Sequence, residues 1–175
     1  AHKMKAEILR DHGMSKKIKY WHDYVGFNFR ITNLQSSIGC AQLERIQWFI
    51  RNKLKLAKNY KSKLYKFEFI TLPGVYGNVQ NSYWLYTIRL NKNFMKYKNL
   101  LIQKMQENGI EARPIFYPMN MMKPYKRYIN KKEKFPVSEN LFNSSISLPS
   151  AYDVNKNDIS MISNFLKNFQ NSIKK

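Results

Sequence analysis

The sequence has few acidic residues, one cysteine and no long apolar run. Cys40 is the only cysteine among 175 residues, so an intramolecular disulfide is excluded and we expect a reducing compartment, the cytoplasm. No apolar stretch approaches the roughly 20 residues that cross a bilayer, and no signal peptide opens the sequence. These absences argue against a disulfide-stapled secreted domain, and we expect no membrane partner.

Familiar catalytic and metal-binding patterns are missing as well. The three histidines, His2, His12 and His22, have no metal-ligand spacing, and no cysteine or carboxylate pair completes a set. No Walker-type or Rossmann-type glycine pattern occurs. Cys40 falls on the apolar side of a predicted helix, which favours a structural thiol over a nucleophile. Residue types alone therefore predict neither a metal site nor a complete catalytic constellation.

Positive charge dominates the composition. Lys and Arg number 31 against 11 Asp and Glu, for a formal net charge of +20, which raises nucleic acid as a partner. The densest basic cluster lies at 123–134, where Tyr125 and Tyr128 can stack on bases. Most of the excess is lysine, however, and it accompanies many Asn and Ile, which share AT-rich codons. We interpret the cluster as a solvated loop and do not expect nucleic acid as a partner. A basic nucleic-acid-binding module stays open as an alternative.

Helical and strand-like patterns alternate along the chain. A short helix is predicted to end at Gly13. Thr32 and Gln35 have capping-box spacing at the start of a helix of about 30 residues, which runs to Tyr65. Strands are predicted at 83–90, 110–117 and 145–148, and further helices from Asn93 to Gly109 and from about Asn155. Pro114 lacks a backbone donor, so its strand is expected at a sheet edge. This order predicts an α+β fold, a small sheet covered by helices with one long N-terminal helix.

The most unusual segment is 20–30, in which aromatic and polar residues alternate. Gly26 gives the backbone freedom, and Asn28 and Arg30 share one side if the chain is extended. An amide and a guanidinium so placed can donate several hydrogen bonds to an anion. The alternative is an aromatic loop that fills a domain interface, and the residues alone leave both interpretations open.

Seven short motifs occur in an order typical of one enzyme family. They are RDHG at 10–13, YWHD at 20–23, GFNFR at 26–30, TNLQ at 32–35, IGCAQL at 38–43, ARPIFYP at 112–118 and SLPS at 147–150. Together they resemble the DegT/StrS family of pyridoxal 5'-phosphate (PLP)-dependent sugar-nucleotide aminotransferases. The YWHD element is most similar to members that aminate a GDP-linked 4-keto-6-deoxymannose.

The resemblance implies the C-terminal portion of a fold-type I aminotransferase. Residues 1–31 would be the end of the large PLP-binding domain with an active-site loop, and 32–175 the C-terminal small domain. In the family, the lysine that carries the cofactor belongs to the large domain. No lysine here has that sequence context, so we assign no catalytic residue. We expect a fragment that is inactive alone.

The same resemblance implies roles for six residues. Asn28 and Arg30 match residues that reach the cofactor phosphate of the neighbouring subunit, which implies a homodimer with shared active sites. The residues implied to approach the substrate are His22, Arg113, Phe116 and Tyr117. Glutamate is the implied amino donor and a nucleotide-linked 4-keto-6-deoxy sugar the acceptor. Asn120 departs from the family pattern, in which a histidine is frequent.

A family relative with different chemistry is a further alternative. If histidine replaces the cofactor-carrying lysine, such a protein performs PLP- or PMP-dependent dehydration of the sugar. The identity of that one residue separates the two activities.

Overall fold

The computed structural model describes residues 2–75, 77–130 and 132–173. Its chain forms two compact units, Ala1–Gln47 and Trp48–Lys175, and each unit is described here by itself. The expected domain boundary between residues 31 and 32 follows from the family resemblance and stays a prediction.

Helix α1, His2–Arg10, opens the first unit. It ends at Arg10, three residues before Gly13, the predicted end. In the turn that follows, His12 and Gly13 both have positive φ, 60° and 68°. The Gly13 N–H donates to the Ile8 carbonyl at 2.9 Å. This bond occupies one of the carbonyls that the helix end leaves unpaired.

The predicted long helix is divided at Arg45 into α2, Asn33–Glu44, and α3, Ile46–Leu64. The capping box is confirmed, since the Gln35 N–H donates to Thr32 Oγ1 at 3.2 Å and the Thr32 N–H to Gln35 Oε1 at 2.9 Å. Arg45 leaves helical geometry with φ −101° and ψ 2°. Its N–H turns to the carbonyls of Gln42 and Leu43, which interrupts the regular ladder.

The apolar side of α2 is exposed. Leu34, Ile38 and Leu43 face solvent, and none of the α2 residues is buried. Cys40 is exposed too, and its interpretation as a structural thiol stays a prediction. The α3 residues that enter the core belong to its second half and are Leu56, Ala57, Tyr60 and Leu64.

The second unit contains a four-stranded antiparallel sheet in the order β1-β2-β4-β3. The strands are β1 Ile70–Thr71, β2 Tyr86–Leu90, β3 Arg113–Pro114 and β4 Ser145–Leu148. Strand β4 has the predicted bounds and is buried along its whole length. Strand β3 is far shorter than the predicted 110–117, but Pro114 does lie at the sheet edge, where its missing donor costs no ladder bond.

The remaining helices cover this sheet. A 3-10 turn at Lys92–Tyr97 precedes α4, Lys98–Glu107. Asn91, rather than Asn93, occupies the N-cap position of this turn, and its side chain makes no capping hydrogen bond. Helix α5, Pro136–Ser144, was not predicted, and α6, Lys156–Ile173, begins where expected. The α+β architecture is confirmed. Within the described ranges, no helix combines the length and the apolar character needed to cross a bilayer.

Two tyrosines form the centre of the core. The rings of Tyr60, on α3, and Tyr86, on β2, stack with centroids 4.6 Å apart, and both residues are almost fully buried. Burial raises the pKa of both phenols well above the ordinary range. The Tyr60 hydroxyl donates to the Pro149 carbonyl at 2.8 Å, so α3 is fixed to the turn after β4.

Candidate functional site

The segment that carries Asn28 is held against the end of α1. The Phe27 N–H donates to the Leu9 carbonyl at 2.7 Å, and the Phe29 N–H donates to the Arg10 carbonyl at 3.0 Å. In return, the Phe27 carbonyl accepts from the His12 N–H at 2.9 Å. The last carbonyls of the helix are thus satisfied by the loop rather than by water, which fixes the loop in an extended form.

Two glycines make this close approach possible. A β-carbon on Gly26 would lie 2.1 Å from the Gly13 nitrogen, and one on Gly13 would lie 2.0 Å from the Tyr24 carbonyl oxygen. All of these neighbours are backbone atoms, so no flexible side chain can move aside. Glycine is therefore required at positions 13 and 26, where the two backbone segments cross.

The extended segment places its side chains on two opposite sides. The rings of Phe27 and Phe29 stack with centroids 5.1 Å apart and planes within 5°. Because side chains alternate along an extended chain, Asn28 and Arg30 lie on the other side, as predicted. Asn28 is exposed, and among the described residues its side-chain amide has no hydrogen-bond partner, so its donors are available to a ligand.

Arg30 is paired with an acidic neighbour. Its Nη1 donates to Asp11 Oδ1 at 3.1 Å, and the Arg30 side chain remains 63% exposed. Such an exposed pair contributes little to stability, about 0–1 kcal/mol. Asp11 occupies one of the five guanidinium N–H donors. The pair orients Arg30 while the other donors stay available to an anion.

His22 is oriented by the backbone of the same unit. Its Nδ1 lies 2.9 Å from the His12 carbonyl oxygen, and since a carbonyl only accepts, Nδ1 carries the proton. In the neutral ring, Nε2 is then an acceptor. Across residues 2–75, 77–130 and 132–173, no three His, Cys, Asp or Glu side chains lie together as a metal site.

The remaining predicted residues lie in the second unit, at and after edge strand β3. Arg113 pairs with Glu111 through both Nε, at 3.1 Å, and Nη2. Phe116 and Tyr117 contact different rings. Phe116 stacks on Trp84 with centroids 6.4 Å apart, and Tyr117 packs on Phe142 with centroids 4.4 Å apart.

Trp84 is a residue that the sequence interpretation missed as part of this surface. The run at 83–90 indicated a buried strand, whereas Trp84 precedes β2 and its side chain is 69% exposed, with Phe116 at 74%. Lys53 Nζ donates to the Trp84 carbonyl at 3.1 Å and also to the Ser150 carbonyl. Burial lowers the pKa of Lys53. The two rings therefore form an exposed aromatic surface on an anchored backbone.

Tyr117 lines a cavity of about 680 Å³ beside α4. Lys98, only 7% exposed, donates from Nζ to the Phe142 carbonyl at 2.7 Å and lies 4.2 Å from the Phe142 ring centroid. Burial lowers the pKa of Lys98 because the charged form loses hydration. The ammonium thus fixes Phe142, and Phe142 supports the Tyr117 ring.

Comparison with known proteins links this chain to one family. The sequence profile of the DegT/DnrJ/EryC1/StrS aminotransferase family matches residues 1–167. A GDP-perosamine synthase of Vibrio cholerae is 34% identical over 165 residues, which cover 94% of this chain and 44% of that protein.

Solved structures show the same fold. The Helicobacter pylori aminotransferase PseC, involved in pseudoaminic acid biosynthesis, has a TM-score of 0.83 at 24% identity, over 96% of this chain and 46% of that one. A Streptococcus pneumoniae protein solved in its PLP-form has a TM-score of 0.83 at 20% identity, over 98% of this chain and 44% of that one.

The chain therefore spans less than half the length of these relatives. PLP, the predicted cofactor, is confirmed as the cofactor of the family. The roles assigned to the six site residues stay predictions. On the match over residues 1–167 and the 34% identity, the chain belongs to the DegT/DnrJ/EryC1/StrS aminotransferase family.

Proposed function

We propose that this chain is the C-terminal part of a PLP-dependent aminotransferase acting on a nucleotide-linked 4-keto-6-deoxy sugar. The amino group would come from glutamate, which leaves as 2-oxoglutarate while the sugar ketone becomes an amine. Family membership and the identity to a protein named GDP-perosamine synthase support this activity. The observation that carries the proposal is the anchored segment 26–30, which presents Asn28 and Arg30 on one side.

Asn28 and Arg30 suit a cofactor phosphate by their donor chemistry. A phosphate dianion takes several convergent N–H donors, and the exposed amide and guanidinium supply them. When bound, PLP supplies the electron sink for amino-group transfer. In this proposal the two side chains hold the phosphate, and Asp11 keeps Arg30 oriented between binding events.

Several side chains contact the substrate in this proposal. His22 offers Nε2 as an acceptor for a sugar hydroxyl, since Nδ1 is engaged by the His12 carbonyl. Arg113 offers a guanidinium to the diphosphate, while Phe116 and Tyr117 supply apolar surface. Trp84 joins this set because its ring stacks on Phe116.

The rest of the site lies outside these residues in this proposal. The cofactor-carrying lysine belongs to a further part of the protein, and a second subunit completes the site as a homodimer in the cytoplasm. The first unit exposes several large apolar side chains. Their exposure supports the proposal that another part of the complete protein covers this surface, since large apolar patches usually mark interfaces. These side chains include Trp21, Val25, Phe27, Ile31, Leu34, Ile38 and Leu43.

The direct test is amino transfer by the complete protein. PLP-loaded protein is mixed with L-glutamate and GDP-linked 4-keto-6-deoxymannose, and 2-oxoglutarate is measured. We expect its formation to depend on the keto sugar and to fall in His22→Ala, with the exposed His2→Ala as control. Absence of 2-oxoglutarate with the unmodified protein would overturn the proposal. Loss of water from the sugar without glutamate would instead support the dehydratase alternative.

A further inference from the structure

Lys98 is buried without a negatively charged partner. The residue is 7% exposed, and its Nζ contacts the Phe142 carbonyl and the face of the Phe142 ring. Across the described residues, no aspartate or glutamate pairs with it. Lysine is almost never fully buried unless its charge is paired, because an isolated buried charge is costly. A carbonyl dipole compensates a full charge only in part, so Lys98 calls for an anion.

The space for such an anion is the cavity of about 680 Å³ beside α4, which Lys98 and Phe142 both line. The volume lies within the usual range of small-molecule sites, about 300–1,000 Å³. Of the described residues that line it, two are lysines, Lys96 and Lys98, and none is an aspartate or glutamate. An anion in this cavity therefore meets positive charge and no like charge.

Two side-chain amides in the lining can donate hydrogen bonds to the same anion. Asn99, on α4, and Asn143, on α5, are both exposed, and each amide carries two N–H donors. The glutamine amides of the lining are already engaged. Gln103 donates to a glutamate at 2.8 Å and Gln106 to a backbone carbonyl at 3.2 Å.

The rest of the lining is largely apolar and consists of Met95, Ile102, Pro114, Tyr117 and Phe142. The Tyr117 and Phe142 rings pack with centroids 4.4 Å apart. Their carbon surface stabilises an aromatic or aliphatic group that is removed from water against it. One buried ammonium balances one negative charge, so the lining matches a ligand with a single charge and an apolar body.

We propose that this cavity binds a small aromatic or aliphatic carboxylate. The carboxylate is the counter-ion of Lys98 and accepts a charge-assisted hydrogen bond from Nζ, while Asn143 contributes an N–H donor. The apolar body lies against Ile102 and Phe142. Of the side chains proposed to contact the nucleotide sugar, Tyr117 alone lines this cavity. The carboxylate is therefore a second ligand, and the inference does not rest on the proposed function.

Inorganic phosphate is the other small anion to weigh for a cavity with lysines. A phosphate dianion brings two charges and takes several convergent donors, for which the planar fork of arginine is well suited. The lining as described contains no arginine, and only one of its two lysines is buried. A carboxylate is therefore favoured, and phosphate is an outcome of the test.

Binding of benzoate to the complete protein, followed by ligand-observed NMR, tests this site. We expect saturable binding of benzoate and at least about tenfold weaker binding of the neutral benzamide, because the charge-assisted bond is lost. Lys98→Met should weaken benzoate binding at least about tenfold for the same reason. Lys61→Met, which removes an exposed lysine of α3 outside the cavity, should leave it unchanged.

A matched pair on α5 keeps the test decisive if Lys98→Met does not fold. Asn143→Asp places a carboxylate in the lining, which competes for Lys98 and repels benzoate. Asn140→Asp makes the same charge change on the same helix outside the lining. Both positions are exposed, so neither change should unfold the protein. We expect weaker benzoate binding in Asn143→Asp and unchanged binding in Asn140→Asp.

The opposite results would overturn the inference. They are an absence of benzoate binding, equally tight binding of benzamide, or equal benzoate binding by the unmodified protein and either Asn143→Asp or a folded Lys98→Met. Benzoate held elsewhere on the protein, such as at a PLP site, would give that last result. Tighter binding of inorganic phosphate than of benzoate would overturn the assignment of a carboxylate. Each result is readable whether or not the protein transfers amino groups.

Discussion

Gly13 and Gly26 cross so closely that a β-carbon on Gly26 would lie 2.1 Å from the Gly13 nitrogen. The contact joins the turn after α1 to the segment that presents Asn28. The surrounding atoms are backbone atoms, which cannot move aside as a side chain can. The position of the proposed phosphate contacts therefore depends on residue 26 having no β-carbon.

Gly26→Ala should therefore displace the segment 26–30. Forcing a methyl into a filled space typically costs about 1–3 kcal/mol, and here a backbone shift would separate Asn28 from its place beside α1. We expect faster proteolytic cleavage in this region and weaker PLP retention by the complete protein. Gly39→Ala is the control, since its β-carbon would meet no atom within 4 Å and alanine favours the helix. Equal cleavage of the two variants would contradict the close approach of Gly13 and Gly26.

Cys40 should react rapidly with a thiol reagent in the separate 175-residue chain. Its side chain is exposed on α2, on a helix that also exposes Leu34 and Ile38. In the complete protein we expect slower alkylation, because the proposed function has this surface covered. Alkylation at the same rate in both forms would show that α2 stays open to solvent.

Lys98→Met should lower the free energy of unfolding by about 1–2 kcal/mol, because the Phe142 carbonyl loses its donor. Burial lowers the pKa of Lys98, so the unfolded chain binds more protons between that lowered pKa and the ordinary lysine value of 10.5. Stability attributable to this lysine therefore rises with pH across that window. Denaturation of both proteins over this pH range measures the difference, with the exposed Lys96→Met as control. A difference that does not change with pH would contradict the burial of Lys98.

Trp84→Ala should raise the KM for the nucleotide sugar while kcat changes little, since the ring supplies binding surface and no proton transfer. Phe116→Ala should act similarly, and the double variant should cost less than the sum of the two because the rings contact each other. Both side chains are mostly exposed, so stability should change by no more than about 0.5 kcal/mol. Additive effects on KM would show that the pair does not act as one surface.

Sequence patterns predicted the elements whose signals are local. The Thr32–Gln35 capping box, strand β4 and the start of α6 depend on neighbouring side chains and are found where expected. The exposure of α2 could not be read from its periodicity, because an apolar face marks a surface to be covered and does not say by what. The break between α2 and α3 could not be predicted either, because no proline or glycine stands next to Arg45.

The candidate site was predictable only in part. The alternation that sets Asn28 and Arg30 apart from Phe27 and Phe29 follows from extended geometry, whereas their attachment to α1 depends on the distant Gly13. The role of Trp84 needed the structure, since its contact with Phe116 joins two separate parts of the chain. The pairing of Arg30 with Asp11, 19 residues away, had no sequence signal.

The PLP dissociation constant of the complete protein tests the central claim most directly. Asn28→Ala removes donors that the proposal places on the cofactor phosphate, and hydrogen bonds to charged groups are worth about 1.5–3 kcal/mol. We therefore predict at least about tenfold weaker PLP binding in Asn28→Ala, and no change in the exposed control Asn164→Ala. An unchanged dissociation constant in Asn28→Ala would contradict the assignment of this residue to the cofactor phosphate.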